Sequence, residues 1–250
     1  MPWTFEILLI VFAVFFVGGI VKGVIGTGLP TVAVALLAAA FDVRTAILLL
    51  MGPAIATNVW QAFAGRSLVK LVRRLAPFLS AIFIGVIGGY LLFSAADDRI
   101  LLAVLGSILC VYAAVSLMKV DIPSPGRREN SASAAVGLVN GTITGITGTF
   151  VVPSVIYLRV LDFERRELIQ AMGITFLFSI TVLSLVLGVD GKISAEIGTL
   201  SLVAIAPAIV GQIVGQAIRD RLAEPTFRAV FLMGLGAIGI YLLTRAIAGF

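Results

Sequence analysis

The chain has 250 residues, of which 60% are apolar and only 12% are charged, and its mean hydropathy is +1.15. A water-soluble domain carries about twice that share of charged residues, because a globule still needs a polar coat. Most of the chain is therefore expected to lie in lipid, which excludes a soluble enzyme, a nucleic-acid-binding domain and a disordered chain.

Apolar runs between charged or turn-rich breaks predict ten segments in chain order. Seven have the length of a membrane-spanning helix, about 20 residues; they cover approximately residues 3–21, 45–64, 75–95, 99–118, 167–188, 197–218 and 227–247. Three shorter runs lie at 29–41, 132–146 and 149–161. Runs of that length at membrane depth are half-helices or re-entrant pieces. Residues 119–131, which contain Pro123, Pro125 and Gly126, form the one convincing linker.

Basic residues predict the orientation of these segments. Residues 65–74, the linker, residues 157–167 and residues 219–228 together hold 13 of the 18 Lys and Arg residues. The alternate breaks near Arg44, Arg99, Lys192 and Arg245 hold one each, so the four basic loops are predicted to be cytoplasmic. No Lys or Arg precedes Lys22, so a signal peptide is not expected and the first segment should be retained.

The two halves of the chain repeat the same landmarks. Gly19, Gly23 and Gly26 have the spacing of Gly141, Gly145 and Gly148, at an offset of 122 residues, and a proline follows each cluster at Pro30 and Pro153. A further pair of glycines in the first half, Gly85 and Gly89, corresponds to the pair Gly211 and Gly215 in the second half. Five segments per half would invert the second half. The sequence thus predicts an all-α polytopic membrane protein with two inverted repeats, residues 1–118 and 132–250, joined by a cytoplasmic linker at 119–131 into one transmembrane domain.

Each glycine cluster lies between two apolar runs and is predicted to be the tip of a hairpin containing a broken or re-entrant half-helix. Free N–H groups and a helix N-terminus at such a tip suit an anion, so a site is expected near the membrane midplane between the two tips. Hydroxyls near the tips would add neutral donors, at Thr27, Thr142, Thr144, Thr147 and Thr149. The alternative for the glycines is helix packing through G-x3-G.

Lys22 is the sharpest single candidate, since a lysine at membrane depth is costly and often functional. The alternative is that its side chain reaches the interface. Asn58, Gln61 and Gln170 are candidate pore-lining residues, or interhelical hydrogen-bond partners. The predicted substrate-binding set is Lys22, Gly23, Gly26, Thr27, Gly28, Asn58, Gln61, Thr144, Gly145, Thr147, Gly148, Thr149 and Gln170.

The string from Lys22 to Pro30, with Pro53, Asn58 and Gln61 downstream, resembles the TauE/SafE sulfite exporter family. The second-half string from Gly145 to Pro153, followed by residues 157–158 and 165–170, resembles that family's second repeat. The resemblance runs nearly from end to end. It implies a multi-pass protein of the bacterial inner membrane that moves small anions such as sulfite, organosulfonates, related sulfur oxyanions or carboxylates. Where many members have a glycine triplet, this chain has Thr27-Gly28 and Thr149-Phe150.

The leading prediction is a secondary transporter or exporter of a small anion that works by alternating access. A passive anion channel of the same fold is the first alternative. A membrane-embedded enzyme is a weaker one, because the chain has no histidine, a single cysteine (Cys110) and carboxylates only at segment ends or in loops. We expect no catalytic residue, metal, cofactor or nucleic-acid partner; the expected partners are the anion and the lipid bilayer. The glycine faces could pack within one chain or between chains, so homo-oligomerisation stays open.

Overall fold

The structure is a computed structural model that describes residues 4–118, 123–219, 221 and 223–248. The first predicted segment begins at Trp3 and the predicted linker at Lys119, and both residues lie outside the described residues. The described part is all helical, with one 3-10 turn at Gly126–Arg128. Its helices are α1 (Phe5–Ile25), α2 (Leu29–Ala40), α3 (Val43–Phe63), α4 (Leu68–Arg74), α5 (Ala76–Phe93), α6 (Asp98–Leu117), α7 (Glu129–Thr147), α8 (Ser154–Arg159), α9 (Arg165–Val189), α10 (Ala195–Val203), α11 (Ile205–Arg219) and α12 (Glu224–Ala248).

Seven stretches of the described residues are long and apolar enough to cross a membrane, and they match the seven long segments predicted from the sequence. They are α1, α3, α5, α6, α9, α12 and the continuous stretch formed by α10 and α11. The helix is interrupted at Ala204, three residues before Pro207. A proline has no N–H to donate to the preceding turn, which accounts for the break. The protein is a polytopic, all-helical membrane protein.

Three local predictions differ from the structure. The short run predicted at 132–146 is part of the 19-residue helix Glu129–Thr147, which begins inside the predicted linker. Residues 65–74 were expected to form a loop, but Leu68–Arg74 is helical, with Leu71 buried while Arg73 is exposed. This segment has the apolar and polar alternation of a short amphipathic helix, but its many basic residues made it resemble a loop. The predicted half-helix at 149–161 is helical only over Ser154–Arg159. The β-branched residues before Pro153 and the restriction that a proline places on the preceding residue explain the later start.

The residues form two compact units, each of which takes helices from both halves of the sequence. Within the described ranges, the first unit contains residues 4–53, 97–118 and 193–248. In this unit α1 packs along α11 and also contacts α2, and α6 packs along α12. The second unit contains residues 54–96 and 123–192. Its main packing is α5 along α7, with α9 against α5, α7 and α8.

Glycines allow the closest helix contacts in both units. A Cβ atom built on Gly23 would lie 2.4 Å from the carbonyl oxygen of Gln212, and one built on Gly145 would lie 2.3 Å from that of Val86. Backbones this close gain van der Waals contact that any side chain would prevent. In the first unit the glycines that meet are Gly19 and Gly23 with Gly211 and Gly215; in the second they are Gly141 and Gly145 with Gly85 and Gly89.

Contacts at the basic helix ends join the loops that the charge count assigns to the cytoplasm. In the second unit, Arg74 donates to both carboxylate oxygens of Glu129, at 2.7 and 2.9 Å, and to the carbonyl oxygen of Leu161 at 2.9 Å. Its guanidinium also lies over the ring of Phe163, 4.6 Å from the centroid. One side chain therefore links residues 65–74, the linker and residues 157–167.

The breaks with few basic residues are joined in the same way. In the first unit, Arg44 pairs with Asp98, and Arg245 donates to the carbonyl oxygen of Ala39 at 2.7 Å. In the second unit, the hydroxyl of Tyr90 donates to Asp190. Within each unit, the helix ends that contact one another are therefore ends that the count of basic residues assigns to the same side of the membrane.

Candidate functional site

The first glycine-rich tip is a three-residue turn between α1 and α2 in the first unit. Gly26 has φ of +86° and Gly28 has φ of +111°, a region that residues with a Cβ rarely adopt. The N–H of Gly26 donates to the carbonyl oxygen of Lys22 at 2.7 Å and closes α1. A Cβ on Gly26 would meet no atom of the described residues within 4 Å, so the turn borders open space. Gly26 and Gly28 serve turn geometry, whereas Gly23 serves packing.

The helix that follows this turn begins without a side-chain cap. Its N-cap is Gly28, and Pro30 in the first turn has no N–H. The N–H groups of Leu29 and Thr31 have no carbonyl acceptor within the helix, and the positive end of the helix dipole faces the turn. The Thr31 Oγ1 atom is buried and has no hydrogen-bond partner among the described residues. The start of α2 therefore has backbone N–H groups that can donate hydrogen bonds to an anion.

Lys22 lies one turn before this tip, in the last turn of α1, and is only 3% exposed. Within the described part of the chain it is the one charged residue that is buried. Thr27, inside the turn, is also 3% exposed. A buried ammonium is costly in a membrane protein, so Lys22 stays a candidate functional residue. The first unit thus brings Lys22, Thr27 and the uncapped start of α2 into one short stretch.

The second tip, in the second unit, follows α7, whose left-handed cap is Gly148 with φ of +69°. Its threonine hydroxyls use their protons within the tip. Thr144 Oγ1 donates to the carbonyl oxygen of Asn140 at 2.8 Å, and Thr147 Oγ1 donates to that of Ile143 at 2.8 Å.

The hydroxyl oxygens of Thr147 and Thr149 are 2.7 Å apart. Because the proton of Thr147 is already engaged, Thr149 is the donor of this pair. The three hydroxyls therefore have no free proton for an anion.

Asn140 is a polar residue of this tip that the sequence analysis did not select. It is fully buried on α7, and its Oδ1 accepts from the Ser154 N–H at 3.2 Å and from the Ser154 hydroxyl at 2.6 Å. These bonds attach the start of α8 to α7 across the turn. An amide directly before Gly141, in a helix rich in small residues, was the available signal.

Gln61 and Gln170 join α3 to α9 by reciprocal hydrogen bonds in the second unit. Gln61 Nε2 donates to the carbonyl oxygen of Ile169 at 3.0 Å, and Gln170 Nε2 donates to that of Ala62 at 2.8 Å. Gln170 Oε1 also accepts from the N–H of Ser67 at 3.1 Å. The interhelical alternative for these two amides therefore has direct geometric support.

A cavity of about 600 Å³ lies beside this pair of amides in the second unit. Its lining includes the guanidinium-bearing Arg66 and Arg166 as well as Glu167, which is paired with Lys70 at 2.8 Å. Asn58, one turn earlier on α3 than Gln61, is fully buried. The cavity opens among the basic residues at the predicted cytoplasmic end.

The predicted site residues are thus divided between the two units. The first unit holds the cationic group of five, Lys22, Gly23, Gly26, Thr27 and Gly28. The second holds the remaining eight, all uncharged, which are Asn58, Gln61, Thr144, Gly145, Thr147, Gly148, Thr149 and Gln170. The first unit therefore contains a buried cation and uncapped backbone donors, and the second contains amides and hydroxyls.

Comparison with known proteins gives one result. The family model for Sulfite exporter TauE/SafE matches residues 11–242, nearly the whole chain. No curated protein and no solved structure matches the chain. The matched range includes both glycine-rich tips and all seven apolar stretches except the outer ends of the first and last. The chain belongs to the sulfite exporter TauE/SafE family, a family of membrane transporters for sulfite and related anions.

Proposed function

We propose that this protein is a secondary transporter that exports sulfite, an organosulfonate or a related small oxyanion or carboxylate across the bacterial inner membrane. The anion would be bound at the first tip by the ammonium of Lys22 and by the backbone N–H groups of Thr27, Gly28 and the start of α2. The observation that carries the proposal is the burial of Lys22 one turn before an uncapped helix start. Family membership supports the anion class.

We also propose that the two halves are inverted repeats and that transport proceeds by alternating access. The matching glycine clusters support the repeat, as does the packing of α1 on α11 and of α5 on α7, which pairs corresponding landmarks from opposite halves. A passive channel is the competing function. Counterflow in vesicles separates the two, because only a carrier accelerates the efflux of labelled anion when unlabelled anion is present outside.

The test of the binding site is the anion-dependent melting temperature of the purified protein in detergent. Sulfite, sulfoacetate and chloride are compared at equal ionic strength on the wild type, on Lys22→Met and on the exposed-lysine control Lys192→Met. Ligand binding to the folded state raises the melting temperature with concentration. Lys22→Met should fold, since methionine fills a similar volume and removes a buried charge.

We expect sulfite or sulfoacetate to raise the melting temperature of the wild type and of Lys192→Met, and to have no effect on Lys22→Met. Stabilisation that persists in Lys22→Met would retain the anion class but remove Lys22 from the site. If none of the anions shifts the melting temperature of the wild type, the proposed function is wrong.

A further inference from the structure

The side-chain amide of Asn140 has a fixed orientation in the second tip. A backbone N–H can only donate, so the Asn140 atom that lies 3.2 Å from the Ser154 nitrogen must be the carbonyl oxygen. The Ser154 hydroxyl, 2.6 Å from the same atom, is compatible with this assignment. The NH2 group of Asn140 therefore points away from Ser154.

That NH2 group has no hydrogen-bond partner among the described residues, although Asn140 is fully buried. A buried N–H without an acceptor costs free energy, and native proteins seldom keep one without a reason. The amide is thus held as a donor that lacks an acceptor.

The surroundings favour an oxygen atom of an anion as the missing acceptor. The hydroxyl protons of Thr144, Thr147 and Thr149 are engaged within the tip, so the NH2 of Asn140 is a buried side-chain donor near this tip that is left for a ligand. It is neutral, and a buried neutral donor recognises an oxyanion by hydrogen bonding without a net charge on the protein.

The same offset that relates the glycine clusters relates Asn140 to Gly18 and Lys22 to Thr144. The two tip helices therefore carry different polar groups at corresponding positions. In α1, Lys22 lies one turn before the tip, and Gly18, which has no side chain, lies one turn before Lys22. α7 has a threonine whose hydroxyl is satisfied internally, and one turn earlier it has the amide. Each tip helix thus carries one side chain able to donate to an anion.

We propose that the Nδ2 atom of Asn140 is a hydrogen-bond donor to an oxygen atom of the transported oxyanion, with Ser154 as the positioning residue that holds the amide in this orientation. This inference rests on the proposed function, because it takes the anion to be the substrate.

The test compares the affinity for sulfite, measured from the concentration dependence of the melting temperature, in Asn140→Asp, Asn140→Ala and the wild type. Asn140→Asp keeps an oxygen acceptor for Ser154 but replaces the NH2 by a second oxygen. Asn140→Ala removes the whole amide, and the Ser154 hydroxyl then has the carbonyl oxygen of Phe150, 2.6 Å away, as its acceptor. The control is Ser133→Ala, two turns earlier on α7, where a fully satisfied buried hydroxyl is 2.7 Å from that of Tyr157.

A hydrogen bond to a charged group contributes enough that both Asn140 variants should bind sulfite more weakly by roughly ten- to a hundredfold. Ser133→Ala should lower the melting temperature without ligand but leave the affinity within about threefold. If Asn140→Ala binds sulfite as tightly as the wild type, this inference is wrong while the proposed function stands. If the wild type shows no response to sulfite or sulfoacetate, both are wrong.

Discussion

Two adjacent glycines of α5 should respond to alanine in opposite directions. A Cβ on Gly89 would lie 2.3 Å from the carbonyl oxygen of Thr142 and 2.9 Å from its Cα atom, whereas a Cβ on Gly88 would meet no described atom within 4 Å. Both positions are inside the same helix, so their intrinsic preference for alanine is the same. The difference between the two variants therefore isolates the packing of α5 against α7.

The magnitude follows from these distances. Ordinary van der Waals contact begins near 3.4 Å, so Gly89→Ala must push α7 away by ~1 Å, which costs about 1–3 kcal/mol. A gap of that size along an interface also forfeits a quarter to a half of each contact energy. Gly88→Ala gains about 0.5–1 kcal/mol, because alanine loses less backbone entropy in a helix. The two variants should differ by about 1.5–4 kcal/mol in unfolding free energy.

The assay is equilibrium unfolding in mixed micelles of a mild detergent and sodium dodecyl sulfate, followed by the loss of helical circular dichroism. The wild type, Gly88→Ala and Gly89→Ala are measured at equal protein and lipid content. Equal stability of the two alanine variants, or a neutral Gly89→Ala, would refute the close packing of these backbones.

Two further predictions concern the helix ends. Arg74→Lys should lower the unfolding free energy by on the order of 1 kcal/mol in the same assay, because lysine cannot form the two parallel bonds to Glu129; Arg73→Lys, at an exposed neighbour, should have no effect. The hydrogen bond from the Tyr90 hydroxyl, and to a smaller extent the charge of Lys192, hold the pKa of the Asp190 carboxyl below its usual range. A lowered pKa stabilises the fold above the unfolded value, near 4, and this contribution is lost as pH falls. Tyr90→Phe should therefore flatten the loss of thermal stability below pH 4, and an unchanged pH profile would contradict this.

The architecture was largely predictable because the strongest signals in this sequence are long apolar runs. Their lengths gave the seven spans, and the uneven distribution of basic residues grouped the helix ends as the contacts at Arg74 and Arg44 group them. The sequence could not give the composition of the two units. Glycine spacing identifies a surface suited to close contact, but it does not identify which of several glycine-bearing helices will be the partner.

The sequence could propose the positions of the candidate site along the chain, but it could not predict the hydrogen bonds of their side chains. The turn at Gly26 and the burial of Lys22 agree with the sequence pattern. Asn140 was missed, because a single amide in a helix has no periodic signature and its importance depends on Ser154, 14 residues away. The hydroxyls of Thr144 and Thr147 illustrate the converse: composition counts them as donors, but only geometry reveals that backbone carbonyls take their protons.

The glycine clusters combine close helix packing with a turn that ends the helix. Within each cluster the first two glycines pack and the third ends the helix in a left-handed turn, as Gly23 and Gly26 do in α1. The two functions depend on each other. Close packing fixes α1 against α11 and α7 against α5, and a tip built at the end of a fixed helix holds its donors in a defined position. A substitution at Gly23 or Gly145 would therefore weaken anion binding indirectly, through displacement of the helix end, even though neither glycine needs to touch the anion.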